Sequence, residues 1–473
     1  MHEVEQLVGA EWRPGRGDEI IVRDPADDTP VSRVRATTSD DVTTAVETAR
    51  SAAADWARTP AAQRAAALAA TADALAAEAE QLALLTTREM GRPVAQARAG
   101  VHAAVATLRQ YAELGPLHRG RSLAGDLDAT DLMVHEPLGV VGVITPWNDP
   151  TAVSAGLLGA ALVTGNAVIY KPSERTPATG WRLAQLFAAH LPAGVFSMLC
   201  GDGRVGADLA GREIDAVAHV GSTAAGRAIA QACARTGAKA ILENGGSDPL
   251  LVDADVDPVW GAGQAALGAF ANAGQLCVSV ERIYVVETIA EPFVSALVDL
   301  ARALRPGPGT DAETEIGPLV DRRHRDLVHA HVTAAVQAGA HAMCGGRIPD
   351  GPGAFYPPTV LTGCTDDMTV VREETFGPVA PVLTVGSFDE GLVRAARSPY
   401  GLAATVLTGS MAHAQRAWRE LPVGTVKIND VFGGAPGGAA HPRRASGQGF
   451  GYGPELLDEL THTKVVHVEP PPG

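Results

Sequence analysis

Between Val140 and Asn429 the chain twice repeats one texture, a short apolar run followed by an amphipathic stretch of helical length and another apolar run. Val140–Thr145, Ala167–Tyr170, Ala216–Val220 and Ala240–Leu242 predict strands buried on both faces, because they lack polar alternation. The intervening segments 151–164, 178–190 and 224–236 predict helices. A second series runs from Leu250 to Asn429, with strands expected near Arg282–Val286, Ala403–Leu407 and Thr425–Asn429. Strands alternating with helices specify an α/β fold with parallel, doubly wound sheets. At 473 residues the chain exceeds what one hydrophobic core holds together, so two or three domains are expected.

The first third reads as helical. Ser39 suits an N-cap, with Asp40 and Asp41 placed where the helix dipole favours negative charge. Val42, Ala45, Val46, Ala49 and Ala53 then recur at helical spacing until Thr59-Pro60. A longer Ala/Leu pattern runs from Pro60 to about Glu89 and is closed by Gly91 and Pro93. The low-complexity stretches are Gly433–Ala440 and the Pro-rich tail Pro470–Gly473.

The formal net charge of −16 argues against nucleic-acid and anionic-membrane partners, since phosphates would be repelled. No apolar run approaches the roughly 20 residues that span a bilayer. The start, Met1 to Glu5, lacks the basic and apolar regions of a secretory signal. Cys200, Cys233, Cys277, Cys344 and Cys364 are odd in number and widely spaced, so neither disulfides nor a metal site is expected. A cytoplasmic location is the default expectation.

Five motifs could carry chemistry, and each alone has a plain structural reading. Gly221-Ser222 through Gly226 follows a strand and opens a helix, where backbone N–H groups can approach a phosphate, although the spacing is not GxGxxG. Lys171-Pro-Ser173-Glu174 ends another strand, where open α/β sheets bind ligands, and is equally a solvated loop. Cys277 follows the small residues Ala271-Asn-Ala-Gly-Gln275, which read as a tight turn; a free thiol is otherwise most often inert core. Glu243 leads into Gly245-Gly246 at a strand end and supplies a carboxylate. Asn148, between Pro146 and Pro150, is held rigidly, as an oxyanion-stabilising amide must be.

Taken in order, these segments resemble the aldehyde dehydrogenase family. The resemblance begins at Val8–Trp12 and Arg23-Asp-Pro25 and passes through Glu136–Val140, Pro146–Pro150 and Lys171–Glu174. It continues through Gly221–Gly226, Glu243–Gly246, Gly274–Cys277 and Glu374–Pro378 to Ser446-Gly447. It implies that Cys277 is the nucleophile, that Glu243 is the general base, and that Asn148 with the Cys277 N–H forms the oxyanion hole. Thr145, Trp147, Lys171, Ser173, Glu174, Gly221, Ser222, Gly226, Glu374 and Phe376 are then the cofactor contacts. A carboxylate at Glu174 would oppose a 2′-phosphate, so NAD is expected over NADP. Retention of Glu243 implies hydrolysis of the acyl intermediate rather than its transfer to a thiol acceptor. A catalytically silent binding or structural protein of the same fold, or an acyl-transferring relative, is the alternative.

Three departures from the family pattern bear on the substrate. Asp149 follows Asn148 where an aromatic residue is usual; Asn244 and Ser247 alter the Glu-Leu-Gly-Gly-Lys pattern; and Ala439–Pro442 replaces Pro-Phe-Gly-Gly. A polar tunnel for a small or polar aldehyde is expected, lined by Asp149, Leu276, Val278 and Arg443. The resemblance further implies a cofactor domain over 1–116 and 138–245, a catalytic domain over 246–445, and an oligomerisation element over 117–137 and 446–473. That element pairs a hairpin near 117–134 with a strand near Thr463–Val468, in a homodimer or homotetramer.

Overall fold

Strands that read as unbroken apolar runs are covered on both faces. In the computed structural model, which describes residues 1–434 and 438–471, the strands Val140–Ile144 and Ala167–Lys171 are buried throughout. They lie in an eight-stranded sheet with the order Gly447–Gln448, Lys239–Glu243, Ala216–Val220, Val140–Ile144, Ala167–Lys171, Phe196–Met198, Gln6–Val8, Glu11–Arg13. The chain enters at Val140–Ile144, winds outward to Phe196–Met198, then returns to build the other half from Ala216–Val220. Winding therefore reverses between Val140–Ile144 and Ala216–Val220, and the crevice beyond their carboxyl ends is where an open α/β sheet takes a ligand.

A second sheet of seven strands has the order His341–Cys344, Thr359–Thr362, Val379–Val385, Val280–Val286, Asp248–Val252, Ala403–Leu407, Thr425–Ile428. Parallel pairing runs through all of it except the His341–Cys344 edge. The two sheets have separate apolar cores, one around Phe293, Tyr284 and Leu319 and the other around Tyr111, Tyr170 and Phe187. In the second core the helices Val94–Leu114 and Pro150–Val163 approach closely, because Gly159 leaves room for Leu108 and Tyr111.

A third sheet of three strands stands apart. Thr461–Val468 pairs antiparallel with Thr130–Pro137 along its whole length, and Arg121–Leu123 takes the other side. Val465 and Val468 are exposed on its outer strand. A smaller sheet of His2–Val4, Pro30–Arg35 and Glu19–Arg23 lies in the N-terminal region. Among the described residues no helix is long and apolar enough to cross a membrane.

The structure differs from the sequence expectations in three places. Thr38, not Ser39, caps the first helix, because Thr38 has the extended backbone a cap needs and its side chain accepts from Asp41 N. The Ala/Leu stretch is two helices, Ala61–Ala77 and Ala79–Met90, broken where Glu78 leaves helical geometry. Gly447–Gln448, expected in the oligomerisation element, instead pairs antiparallel with Leu242–Glu243 as the last strand of the cofactor-side sheet. Residues 435–437 of the Gly433–Ala440 stretch and 472–473 of the tail lie outside the described residues.

Asn166 ties these parts together. Fully buried, it accepts from Gly139 N and donates to Ala161 O, Thr164 Oγ1 and Leu460 O. Asn166→Ala would leave the Gly139 donor unpaired and Leu460 O with only the long bond from Leu138 N, at a cost of about 1–3 kcal/mol. Equilibrium urea unfolding should show a correspondingly lower midpoint with an unchanged slope.

Candidate active site

The crevice at the sheet switch point opens into a cleft of about 850 Å³. Thr145, Trp147 and Asn148 line it from the end of Val140–Ile144, Lys171, Ser173 and Glu174 from the end of Ala167–Lys171, and Gly221 and Ser222 from the end of Ala216–Val220. Cys277, Glu374 and Phe376 close it from the second domain. Eleven of the proposed site residues thus share one cavity, although they come from five separate segments of the chain.

The corner of the cleft at Gly221 and Ser222 is built by steric fit. Ser222 caps the helix Thr223–Thr236 by accepting from Ala225 N, so the positive end of that helix faces the cleft. Gly226 does not line the cavity; a Cβ there would lie 1.9 Å from Asn244 Oδ1, so it packs helix against strand. Lys171 is buried, and its ammonium donates to Pro172 O at 2.9 Å with a Glu174 carboxylate oxygen at 3.8 Å. Desolvation lowers its pKa, and Glu174 partly opposes that shift.

At the opposite end, Trp147 packs edge-on against Phe376 and His324, with ring centroids 5.5 and 5.8 Å apart, and Arg175 lies 5.3 Å over the Trp147 ring. Glu374 accepts from Gly246 N at 3.0 Å, and any side chain at Gly245 would collide with its carboxylate. Phe376 has φ +54°. It holds that conformation because the buried Glu281 carboxylate accepts from both Thr375 N and Phe376 N at 2.8 Å. Glu281 and the box partners His324 and Arg175 were not anticipated from sequence, since nothing in their local pattern marks them.

The cysteine is presented by a strained turn. Asn272, Ala273 and Gly274 adopt φ of 50°, 55° and 72° in succession. Only the glycine does so cheaply, and each of the other two costs on the order of 1–3 kcal/mol. Gln275 fastens the turn, donating to Asn272 O and accepting from Val320 N. A Cβ on Gly274 would come within 2.1 Å of Gly377 O, so the turn also packs against the segment after Phe376. Asn148 is buried and donates to Gln275 O at 3.0 Å, which leaves its second amide hydrogen for a ligand. Its own carbonyl accepts from Asn272 Nδ2 at 3.3 Å and from Arg92 at 3.4 Å.

Electrostatics sets the protonation of this centre. Burial pushes the Cys277 thiol up to about 12, with the carboxylates of Glu243, Asp248 and Glu374 adding to the rise. Burial likewise raises Glu243 to about 7, against one opposing hydrogen bond from the Gly451 backbone. Glu374 sits at about 7 and Asp248 at about 8, both raised chiefly by desolvation. The resting centre is therefore a neutral thiol beside a carboxyl poised near neutrality.

The sequence profile of the aldehyde dehydrogenase family matches residues 12–466. The chain belongs to that family. Its fold is that of an aldehyde dehydrogenase, with two Rossmann-like α/β domains. Similar solved structures include an NAD-dependent aldehyde dehydrogenase from Sinorhizobium meliloti, 33% identical, TM-score 0.95, covering 99% of this chain and 96% of that one. A lactaldehyde dehydrogenase from Escherichia coli is 31% identical, TM-score 0.95, covering 98% and 99%. A 3,6-anhydro-L-galactose dehydrogenase is 31% identical, TM-score 0.95, covering 99% and 100%.

The expected tunnel residues fare differently in this aldehyde dehydrogenase. Leu276 and Val278 flank Cys277 and are half-buried. Asp149 is not a free acceptor: its carboxylate is 2.7 Å from the buried Arg92 guanidinium. Arg443 does not reach the cleft. It is exposed, with its backbone N–H on Gly401 O and its Cβ against Gly401, because the chain there runs along the edge of the second domain. His219, unremarked in the sequence, lines the cleft; burial lowers its pKa to about 4, and its Nδ1 faces Ile144 O at 3.1 Å.

Because the folded-state pKa of Glu243 lies above its unfolded value, the contribution of this group to stability is full below the ordinary carboxylate range. It is lost as pH rises through about 7. Glu243→Gln should therefore melt higher than the parent at about pH 8, with the gap shrinking toward about pH 5. Thermal melts that show the same gap at both pH values would contradict this placement of Glu243.

Proposed function

We propose that this chain oxidises a small polar aldehyde to its carboxylic acid with NAD, using Cys277 as nucleophile, Glu243 as base and Asn148 as oxyanion donor. The observation that carries this reading is the convergence of Cys277, Asn148 and Glu374 on one cleft that begins at a helix N-terminus. The cofactor fits the groups present. Ser222 and its helix suit a pyrophosphate, Lys171 and Glu174 a ribose, and Glu374 a second ribose beside the Trp147–Phe376 box. The carboxylate at Glu174 favours a free 2′-hydroxyl over a 2′-phosphate, although a 31% identical neighbour was solved with NADP. When bound, NAD supplies the hydride acceptor.

The residues divide the work as follows. Glu243 takes the proton of Cys277 as the sulfur–carbon bond forms, so the thiolate exists only in company with its electrophile. The new oxyanion receives the free amide hydrogen of Asn148 and the Cys277 backbone N–H, donors already fixed by Gln275 and Asn272. Loss of hydride leaves a thioester on Cys277. Glu243 releases its first proton to solvent; water then attacks the thioester as Glu243 accepts the water proton, and Glu243 returns that proton to the departing sulfur as the acid leaves.

Support for a polar substrate comes from the residue that follows Asn148. The Arg92–Asp149 pair occupies the position where relatives place an aromatic ring, and Gly100 packs directly onto Asp149. Tyr452 lies at ordinary contact distance from Gly156, and its hydroxyl meets Thr107 Oγ1 at 2.7 Å. The similar enzymes named for lactaldehyde and 3,6-anhydro-L-galactose also act on oxygen-rich aldehydes. The exposed outer strand Thr461–Val468 supports a homo-oligomer, since an unpaired edge invites a partner.

Rapid mixing with NAD and glycolaldehyde tests the mechanism. Cys277→Ala should lower turnover by a factor on the order of 10⁴ or more. Glu243→Gln should slow NADH formation in the first turnover as well as in the steady state, because Glu243 serves both proton transfers. In the parent, kcat/KM should rise with pH through about 7, the value at which Glu243 ionises. A parent that forms no NADH with any aldehyde would overturn the reading. For the substrate class, Asp149→Phe should shift the hexanal-to-glycolaldehyde ratio of kcat/KM upward by about tenfold or more; an unchanged ratio would exclude a role for the Arg92–Asp149 pair in selection.

A further inference from the structure

Far from the cleft, three side chains from three separate segments turn ligating atoms onto one point. His118 follows the short turn Gly115–Leu117, His135 lies on the strand Thr130–Pro137, and Asp458 lies in the helix Glu455–Glu459. His118 Nε2 is 2.8 Å from Asp458 Oδ1, and His135 Nε2 is 3.9 Å from the same oxygen. The two imidazoles are stacked with centroids 4.3 Å apart and planes 20° apart. One donor atom from each of the three residues lies within 4.8 Å of the other two. Nitrogen and oxygen ligands at ~2.1 Å around a tetrahedral ion stand about 3.4 Å from one another, so these atoms need to move by an ångström or so.

Hydrogen bonding alone leaves the cluster incomplete. The carboxylate bonds only His118, and His135 Nδ1 is buried without a partner. Among the described residues, Asp458 has no arginine or lysine within ion-pair distance to compete for its charge. Two imidazoles and one carboxylate suit zinc and its transition-metal neighbours, whereas magnesium and calcium require oxygen ligands.

We propose that His118, His135 and Asp458 form a binding site for a zinc-like divalent cation that pins the three-stranded sheet to the cofactor domain. His118 sits in a connection outside any helix or strand, so its ring can turn out of the stack until the two nitrogen lone pairs converge. The exposed side of Asp458 admits water as the remaining ligand. On either side of Asp458, Leu456, Leu457 and Leu460 are buried in the cofactor-domain core, while His135 belongs to the outer sheet. The ion would therefore span the joint between the two bodies.

The test uses untagged, chelator-stripped full-length protein carrying Cys277→Ser, which removes the reactive thiol as a rival ligand. Calorimetric titration with zinc chloride should show one ion per chain, and cobalt should give the visible absorption of a low-coordinate site. His135→Ala or His118→Ala in that background should weaken zinc binding by at least about tenfold and abolish the zinc-dependent rise in melting temperature. With Cys277 intact, the same histidine variants should keep the parent's turnover, which shows that they fold. Calcium should have no effect. Equal zinc affinity in parent and histidine variants, or no zinc binding by the parent at about 100 μM, would overturn the proposal.

Discussion

The constraint on which this structure turns is the desolvation of negative charge around one sulfur. Glu243, Asp248, Glu281 and Glu374 come from strands and turns that must meet at Cys277 for the cleft to close, and each is raised above its ordinary pKa chiefly by burial. Not all of them can be ionised together, because each charge added raises the next. The backbone donors respond to this crowding. Gly246 N, Thr375 N, Phe376 N and Ala403 N each point at one of these carboxylates, so the loops that carry substrate-facing side chains are also what hold the charge in place.

The turn before Cys277 is strained in the same region. A relaxed loop would place Gln275 and the sulfur elsewhere, and the amide of Asn148 would have no fixed partner. The left-handed Asn272 and Ala273 are instead held by hydrogen bonds to both sides: Asn272 N accepts nothing but donates to Gln96 Oε1, and its side chain reaches Asn148 O and Gln275 O. Strain at the nucleophile is offset by order in its neighbours, and the helix Val94–Leu114 takes part through Gln96.

Much of the fold was legible because periodicity reports burial. The strands Val140–Ile144, Ala216–Val220 and Ala403–Leu407 coincide with apolar runs to within a residue, since a parallel strand covered on both faces admits few polar side chains. The cleft residues were legible through family resemblance, whose motifs sit at strand ends. What sequence could not show was pairing at a distance. Asp149 reads as an available carboxylate until Arg92, fifty-seven positions earlier, is found beside it. Arg443 looks well placed by its proximity to the motif at Ser446, yet the backbone carries it to the surface beside Gly401. Glu281 lies inside a strand like any other, and its task emerges only when Phe376 folds against it.

The two-residue strand Gly447–Gln448 carries a consequence for the order of events in a living chain. It pairs with Leu242 and Glu243, and Gly451 follows it to donate to the Glu243 carboxylate. Glu243 is thus enclosed by a segment that leaves the ribosome long after both it and Cys277. A nascent chain carries its thiol without a finished partner, and domains form in the order they emerge. The thiol and the carboxyl therefore take up their final setting together, only once the strand Gly447–Gln448 has docked.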